Sequence, residues 1–340
     1  MPSMRTFKGD SFTIGLQQGL LYKQNGMNLN GVVIETGLYK KQKEIYAKFY
    51  PEQLEEIEGV AKGGGFDIDK CIYSFIKGEI RFYKKRVSPS ACTIFGIKNG
   101  KGFFVGRNYD WIPAAHSSFQ AYKVIPKGRK SFIGVTDMGI TAPTDGPGDY
   151  RFLPEDTIND HGLYIGLTFA TTNQWSYGIS SLLMLKYVAE RCKSVTDALN
   201  LFKKTPVCCP KNFFIADKKG NMAVVEHTSK EYRVILPQNN MLIKTNHYLS
   251  PDLASKDTVL TRSPGHNTFL RYYEILQALN LYESSFTHPK VKTLLRKTGS
   301  HVFEREKGNN TIWTLSMNME EQIYHLYSGQ KSNRRAILKF

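Results

Sequence analysis

The strongest chemical signal in this sequence lies between Ala91 and Trp111, where a cysteine opens an apolar run and two charged residues follow. Arg107 comes fifteen residues after Cys92, and Asp110 comes three residues later. A guanidinium beside a thiol lowers the thiol pKa and raises the fraction of thiolate, which is the nucleophilic form. These residue types therefore suit nucleophilic catalysis. The competing interpretation is a buried cysteine that only fills space in a strand.

The flanking residues predict a hairpin that brings this group together. Apolar runs at Cys92–Ile97 and Gly102–Asp110 are separated by Lys98-Asn99-Gly100-Lys101, and Asn-Gly between apolar runs is a strong hairpin signal. Ser88-Pro89-Ser90 precedes the first run and favours an extended approach, because the residue before proline avoids the helical region.

The hairpin leaves one geometric question. Arg107 and Asp110 are three residues apart, so a straight strand would point them to opposite faces of the sheet. For both to reach Cys92 we expect a bend after Arg107, supplied by Asn108.

The chain before the hairpin has a helical pattern, and the chain after it consists mostly of strands. Mixed apolar and polar positions predict helices over 11–25, 37–62 and 68–85, with a helix start at Pro51 and an end at Gly63-Gly64-Gly65. Later strands are predicted at 119–125, 131–137, 162–170, 212–216, 222–226, 232–236, 241–245, 310–316 and 321–328, and helices at 178–192, 195–203, 267–282 and 288–297. The fold class is α+β.

Composition is that of a globular protein in a reducing compartment. The 340 residues are 41% hydrophobic and 22% charged, and no apolar run approaches the roughly 20 residues of a membrane helix. The N-terminus lacks the apolar core of a secretory signal, so we expect a cytoplasmic protein without membrane association. Five scattered cysteines argue against a disulfide framework, and Cys208-Cys209 has no second pair at zinc spacing. We predict no metal or cofactor.

The net charge of +16 raises the question of a nucleic-acid partner. Basic residues are spread along the whole chain, without a recognition-helix, zinc-finger or RNA-binding signature. We therefore expect a basic enzyme surface and no nucleic-acid partner. A field of this sign would favour anionic substrates.

Four sequence blocks of this chain resemble those of the N-terminal-nucleophile hydrolases of the penicillin (acyl-CoA:6-aminopenicillanic acid) acyltransferase type. These enzymes are relatives of the choloylglycine and linear amide C–N hydrolases. The resemblance spans nearly the whole chain. Three blocks follow the proposed nucleophile: Cys92-Thr93 with Gly106-Arg107-Asn108-Tyr109-Asp110-Trp111, then Asn159-Asp160-His161-Gly162-Leu163, then Thr245-Asn246-His247. The fourth, Gly9…Ile14-Gly15…Gly19 with Glu56…Gly59-Val60-Ala61-Lys62-Gly63-Gly64-Gly65, resembles the acyltransferase pro-segment, which choloylglycine hydrolases lack.

The resemblance implies a four-layer αββα sandwich and a zymogen that cleaves itself between Ala91 and Cys92. Residues 1–91 would form a helical pro-segment that becomes a small chain. Residues 92–340 would form the catalytic αββα body, and packing would hold the two chains together.

The resemblance also implies a mechanism. The freed α-amine of Cys92 would act as base for its own thiol, which forms a thioester with a linear, non-peptide amide or an acyl-CoA-like substrate. Hydrolysis and acyl transfer share this intermediate, and the sequence does not choose between them. It also leaves open whether the protein forms a homo-oligomer.

Individual roles follow by the same resemblance. Arg107 and Asp110 would hold the amine and thiol of Cys92, and Asn246 would donate to the oxyanion, a contribution of roughly 3 kcal/mol. Thr168 stands where choloylglycine hydrolases carry an oxyanion-hole asparagine. The later family arginine, in a Ser-Arg context, falls near Thr268. Arg271, three residues on, is favoured by its Phe-x-Arg pattern over Arg262, six residues before.

Two other functions stay open. Cys92, His161 and Asn246 would form a papain-like triad, although the papain context is missing and His116, His247 and His266 compete for the role of base. A basic binding protein without turnover is the other alternative. Aromatic residues could line an acyl pocket or simply fill the core: Trp111, Phe119, Phe152, Tyr164 and Phe169.

Overall fold

Two β-sheets stacked face to face form the centre of the molecule, with helices on the outer face of each sheet. The computed structural model describes residues 4–77, 80, 91–142, 151–262, 267–305, 310–329 and 333–340. One apolar cluster lies between the sheets, a second lies under the helices of the first sheet, and a third lies under those of the second. The layers are therefore αββα, as the resemblance implied.

The first sheet has eight strands in the order β1-β4-β5-β6-β7-β8-β9-β10. β1 pairs parallel with β4, and every other neighbouring pair in this sheet is antiparallel. The strands are β1 (Arg5–Gly9), β4 (Gln120–Pro126), β5 (Phe132–Thr136), β6 (Asp156–Asn159), β7 (Leu163–Phe169), β8 (Lys211–Asp217), β9 (Met222–His227) and β10 (Tyr232–Ile235).

The second sheet has six antiparallel strands in the order β11-β2-β3-β12-β13-β14. They are β2 (Ala91–Asn99), β3 (Gly102–Trp111), β11 (Met241–Lys244), β12 (Asn310–Asn318), β13 (Ile323–Ser328) and β14 (Arg335–Leu338). The predicted hairpin is confirmed: β2 and β3 pair from Ala91 opposite Asp110 to Asn99 opposite Gly102.

Ten α-helices lie in the described residues: α1 (Ser11–Gln24), α2 (Thr36–Phe49), α3 (Pro51–Gly64), α4 (Ile68–Ile76), α5 (Ser181–Arg191), α6 (Val195–Lys204), α7 (Pro251–Ala254), α8 (Val259–Arg262), α9 (Thr268–Tyr282) and α10 (His288–Arg305). The predicted helix over 37–62 is two helices that divide at Pro51, and the latter part of the one over 68–85 lies largely outside the described residues. None of the described helices is both long and apolar enough to cross a membrane. All five cysteines are buried and none is in a disulfide.

Glycines bring α1 and α3 into backbone contact. A Cβ atom at Gly15 would lie 1.8 Å from the Glu56 carbonyl oxygen, and one at Gly59 would lie 2.1 Å from the Phe12 carbonyl oxygen. Gly19 and Gly63 repeat this contact one helical turn further along, because residues four apart share a helix face. These four glycines are therefore a packing requirement.

The N-terminal segment is built into the sandwich and is not wholly helical. It supplies β1 to the first sheet, a strand that the sequence did not predict. On α5, the Lys186 ammonium contacts the Glu56 carboxylate and lies 2.8 Å from Gln53 Oε1. Tyr50 donates to Glu190 at 2.9 Å. We call Tyr50, Gln53, Glu56, Lys186 and Glu190 the Lys186 network.

Candidate active site

Cys92 is the second residue of β2, and its side chain lies between the two sheets. Its cross-strand partner is Tyr109, and both residues belong to the apolar cluster that the two sheets share. Arg107 pairs with Ile94, two residues along, and alternation along the strand puts its side chain on the same face as Cys92. Cys92 and Arg107 are both fully buried.

The Arg107 guanidinium is a buried cation beside the thiol. Its Nε lies 3.1 Å from Asp156 Oδ1 on β6 of the other sheet. Burial alone would lower the pKa of Arg107, but the neighbouring Asp156 and Cys92 raise it well above its usual value. The guanidinium therefore keeps its positive charge where it can stabilise a thiolate.

Asp156 is a buried residue at this site that sequence reasoning missed. Its carboxylate also accepts hydrogen bonds from Tyr164 at 2.7 Å and from the Trp313 indole at 2.9 Å. Burial raises the pKa of Asp156, and Arg107 with these two donors opposes that rise. The signal available in the sequence was indirect: an arginine inside a strand needs a carboxylate partner. We call Arg107, Asp156, Tyr164 and Trp313 the Arg107 network.

The backbone of Cys92 is held from the opposite side. Its peptide nitrogen donates to Asn246 Oδ1 at 2.8 Å. Arg271 on α9 donates to the Cys92 carbonyl oxygen, and also to Asn246 Oδ1 at 2.8 Å and Thr93 Oγ1 at 3.0 Å. Asn246 and Arg271 therefore fix the position of the nitrogen that would become an α-amine on cleavage before Cys92.

The Asn246 side chain has an orientation determined by its partners. Its oxygen accepts from two donors, and its Nδ2 donates to the Phe169 carbonyl oxygen at 3.0 Å. The backbone nitrogen of Asn246 donates to Thr268 Oγ1 at 2.8 Å. An amide nitrogen carries two hydrogens, so the second one can serve an oxyanion.

Thr168 supports the Asn246 turn. Its hydroxyl donates to the Thr245 carbonyl oxygen at 2.5 Å and accepts from Asn212 Nδ2 at 3.1 Å. A hydroxyl has a single hydrogen. In this arrangement Thr168 stabilises the residue before Asn246, which differs from the oxyanion donor expected from its matching position.

Asp110 lies on the opposite face of β3 from Arg107. The β2–β3 register runs without interruption through both residues, so the expected bend at Asn108 is wrong. The register shift lies instead in β12, between Thr311 and Trp313. Asp110 pairs with Ala91 and accepts from Thr311 Oγ1 at 2.5 Å, so it stands at the Ala91 side of the bond between Ala91 and Cys92.

The papain-like triad is not assembled. His161 lies in the β6–β7 turn, exposed and bonded to Asp160 at 2.8 Å. Asn246 is bonded to Phe169, at the other end of β7. Seven strand residues separate the two ends, a distance of roughly 20 Å. Asn159 makes this block a turn, because its Oδ1 accepts from the backbone nitrogens of His161 and Leu163.

The other candidate histidines are bonded to hydroxyl groups or lie outside the described residues. His116 is exposed and bonded to Ser328, His247 is bonded to Thr268 Oγ1 at 2.9 Å, and His266 lies outside the described residues.

Phe152 stacks on Tyr22 in a different core, and Phe169 lies under the Lys211 ammonium. Trp111 and Phe119 are half-buried at the edge of the cluster that contains Cys92. No group of three or more metal-ligating side chains is found in the described part of the chain.

A protein-family comparison and a fold comparison both give matches. Residues 97–333, which begin just after Cys92, match the family described as acyl-coenzyme A:6-aminopenicillanic acid acyl-transferase. Two structures of conjugated bile acid hydrolase from Clostridium perfringens are similar. An arginine-to-leucine variant has a TM-score of 0.52 at 17% identity, over 73% of this chain and 92% of that one. A cysteine-to-alanine mutant has a TM-score of 0.50 at 17% identity, over 73% of this chain and 97% of that one.

A third solved structure, penicillin V acylase from Agrobacterium tumefaciens, aligns with a TM-score of 0.46 at 13% identity, over 70% of this chain and 82% of that one. A comparison with curated proteins gave no match. At these identities the likeness to solved structures concerns the fold alone.

Proposed function

This chain belongs to the acyl-coenzyme A:6-aminopenicillanic acid acyl-transferase family, and on that premise we propose that Cys92 is the nucleophile of an amidohydrolase or acyltransferase. The chain becomes active when it cleaves itself between Ala91 and Cys92. The substrate is a small molecule with a linear amide or an acyl thioester, and the acyl group passes through a thioester on Cys92.

One observation carries the proposal: charged and amide groups from three separate elements meet at Cys92. Arg107 of β3 lies on the thiol side, while Asn246 after β11 and Arg271 of α9 hold the backbone. A cysteine that only filled space would need none of these polar neighbours, because burying them costs free energy unless each is paired.

The proposed self-cleavage proceeds in two steps. The Cys92 sulfur attacks the Ala91 carbonyl carbon, a C–S bond forms, and the C–N bond to Cys92 breaks. The thiol proton ends on the departing nitrogen, which becomes the α-amine. Water then hydrolyses the thioester and leaves a carboxylate on Ala91 and a thiol on Cys92. We assign proton transfer in these steps to Asp110, whose strand pairs it with Ala91.

Turnover repeats the chemistry on an external substrate. The α-amine takes the thiol proton, the thiolate attacks the substrate carbonyl, and the same proton leaves with the amine or thiol of the substrate. The second amide hydrogen of Asn246 stabilises the oxyanion, and Arg107 offsets the negative charge on sulfur. Water or an acceptor amine then takes the acyl group. Trp111 and Phe119 are the half-buried side chains that we place against the acyl group.

Intact mass after purification tests the proposal. We expect two fragments divided before Cys92 in the wild type and an uncut, inactive chain in Cys92→Ala. Cys192→Ala is the matched control. Burial raises the pKa of the Cys192 thiol to about 12, so this variant should cleave normally. An uncut wild-type chain with full amidase activity would contradict the α-amine mechanism. Loss of that activity in His161→Ala would then favour a separate histidine base.

A further inference from the structure

We infer that Asp156 is a positioning residue for the chemistry of Cys92: it fixes the Arg107 guanidinium so that the far end of this cation faces the thiol. The inference rests on the proposed function, because it assigns Asp156 an effect on the nucleophile through Arg107. It concerns a residue that lies outside all four sequence blocks.

The contact geometry defines which part of the guanidinium is held. Arg107 Nε lies 3.1 and 3.2 Å from the two carboxylate oxygens of Asp156, and Nη1 donates to the Asn108 carbonyl oxygen at 2.5 Å. Nη2 is buried and has no hydrogen-bond partner by distance and angle among the described residues. Cys92 is nevertheless one of the groups that raise the pKa of Arg107. Nη2 is therefore the donor left for the sulfur or for an oxyanion formed beside it.

Asp156 is itself held rigidly. Tyr164 of β7 donates to Oδ1 at 2.7 Å, and the Trp313 indole of β12 donates to Oδ2 at 2.9 Å. With Arg107 from β3, three strands besides its own fix this carboxylate. A carboxylate with donors on both oxygens cannot turn without breaking one of them, so the orientation of Arg107 is set from the first sheet.

Charge gives Asp156 a second effect. A fully buried guanidinium without a counter-ion would be strongly destabilising, and Asp156 offsets that cost. A simple tie between the two sheets would also explain the ion pair, and the guanidinium carbon does lie 5.2 Å from the centroid of the Tyr109 ring. The position of Cys92 next to Arg107 distinguishes the two explanations, since a tie predicts no effect on the reactivity of the thiol.

Asp156→Asn in the full chain tests the inference, because it keeps the side-chain volume and removes the charge. We expect cleavage before Cys92 and acylation of Cys92 by p-nitrophenyl acetate to slow roughly 10–100-fold, by analogy with the loss of a partner that orients a metal ligand. Rates are taken per folded chain. Thr157→Val is the matched control. The hydroxyl of this buried neighbour has no hydrogen-bond partner within the described part of the chain, and the rates of the variant should not change.

A double variant shows whether Asp156 acts through Arg107. In an Arg107→Met background, Asp156→Asn should cost no further rate, whereas independent roles would multiply the two losses. If Asp156→Asn does not fold, Trp313→Phe asks the same question with all charges retained. It removes one donor to Asp156 and should slow both rates several-fold only when Arg107 is present.

The outcomes separate this inference from the proposed function. Normal rates in folded Asp156→Asn, or in Trp313→Phe where Asp156→Asn does not fold, would overturn the positioning role, as would multiplied losses in the double variant. If Arg107→Met itself cleaved and acylated at the wild-type rate, the role of Arg107 in the proposed function would be wrong. A slow Arg107→Met with a normal Asp156→Asn would reject only the inference about Asp156.

Discussion

The Arg107 network and the Lys186 network are both buried sets of charges, and they differ in what the cation faces. Lys186 lies between Glu56, Gln53 and Glu190, with its Nζ 3.9 Å from Glu190 Oε1, so acceptors of the network surround it. Arg107 has both the Asp156 carboxylate and the Cys92 thiol as neighbours. Burial of charge is common to both. The neighbouring cysteine thiol is what marks the Arg107 network as a candidate site.

The surroundings explain the difference. The Lys186 network joins α3 of the N-terminal segment to α5, and it lies on the outer side of the first sheet. The Arg107 network joins the two sheets next to the start of β2. We interpret the first as the structural joint between residues 1–91 and the body, and the second as part of the chemistry.

The largest expected effect separates the two networks by rate. Arg107→Met and Lys186→Met both leave buried carboxylates without their cation, so they cause comparable structural damage. We expect Arg107→Met to slow cleavage before Cys92 about 100- to 1,000-fold, the loss seen when one charge-stabilising donor is removed. Lys186→Met should cleave at the wild-type rate per folded chain, measured by intact mass over time. Equal slowing in both variants would abolish the distinction.

The second prediction concerns stability. Breaking a buried ion pair by removing one partner costs roughly 3–5 kcal/mol, so Lys186→Met should lower the free energy of unfolding by about that amount in urea. Adding Glu56→Gln should recover part of the loss, because it removes a carboxylate left without its cation. If Lys186→Met alone were as stable as the wild type, the Lys186 network would not hold the N-terminal segment to the body.

The third prediction concerns the helix contact that places Glu56. In Gly59→Ala, the new methyl group would lie 2.1 Å from the Phe12 carbonyl oxygen, so α1 and α3 must separate. Overpacking of this kind typically costs about 1–3 kcal/mol. We expect a lower melting temperature with an unchanged rate of cleavage per folded chain. Gly37→Ala is the control, since its Cβ would meet no atom within 4 Å. Equal melting temperatures for the two variants would refute the close contact.

The sequence predicted much of this architecture where local signals were strong. The hairpin at Asn99-Gly100 and the helix start at Pro51 were visible because turn and capping residues act locally. β1, β6 and β14 were missed. β1 and β14 are short strands at sheet edges, and β6 has only four residues, so the pairing of all three depends on distant residues. The bend at Asn108 was wrong because it assumed that Arg107 and Asp110 reach Cys92 from one face.

The candidate site was only partly visible for a similar reason. Cys92, Arg107 and Asp110 lie within one hairpin, so their spacing could be read directly. Asn246 and Arg271 came from the family resemblance, because they are contributed by segments far along the chain. Asp156 could not be found by spacing: its partners Arg107, Tyr164 and Trp313 meet only after the two sheets stack.

The smallest expected effect is a pH dependence confined to the Lys186 network. Burial raises the pKa of Glu190, and Lys186 and Arg129 only partly offset that rise. A carboxyl group with a raised folded-state pKa stabilises the fold fully below its unfolded pKa of about 4.3, and that contribution is lost as the pH rises through the folded-state pKa. Glu190→Gln cannot titrate. The wild type should therefore gain stability relative to Glu190→Gln as the pH falls from 7 towards 4.

Urea denaturation of both proteins across this range measures the difference, and titrating groups that the two chains share cancel in it. Cleavage before Cys92 should have the same pH profile in both, because Glu190 belongs to the joint between the N-terminal segment and the body and not to the Arg107 network. A change in the cleavage profile on losing Glu190 would mean that the two networks are coupled across the first sheet. The distinction between a structural and a chemical set of buried charges would then have to be abandoned.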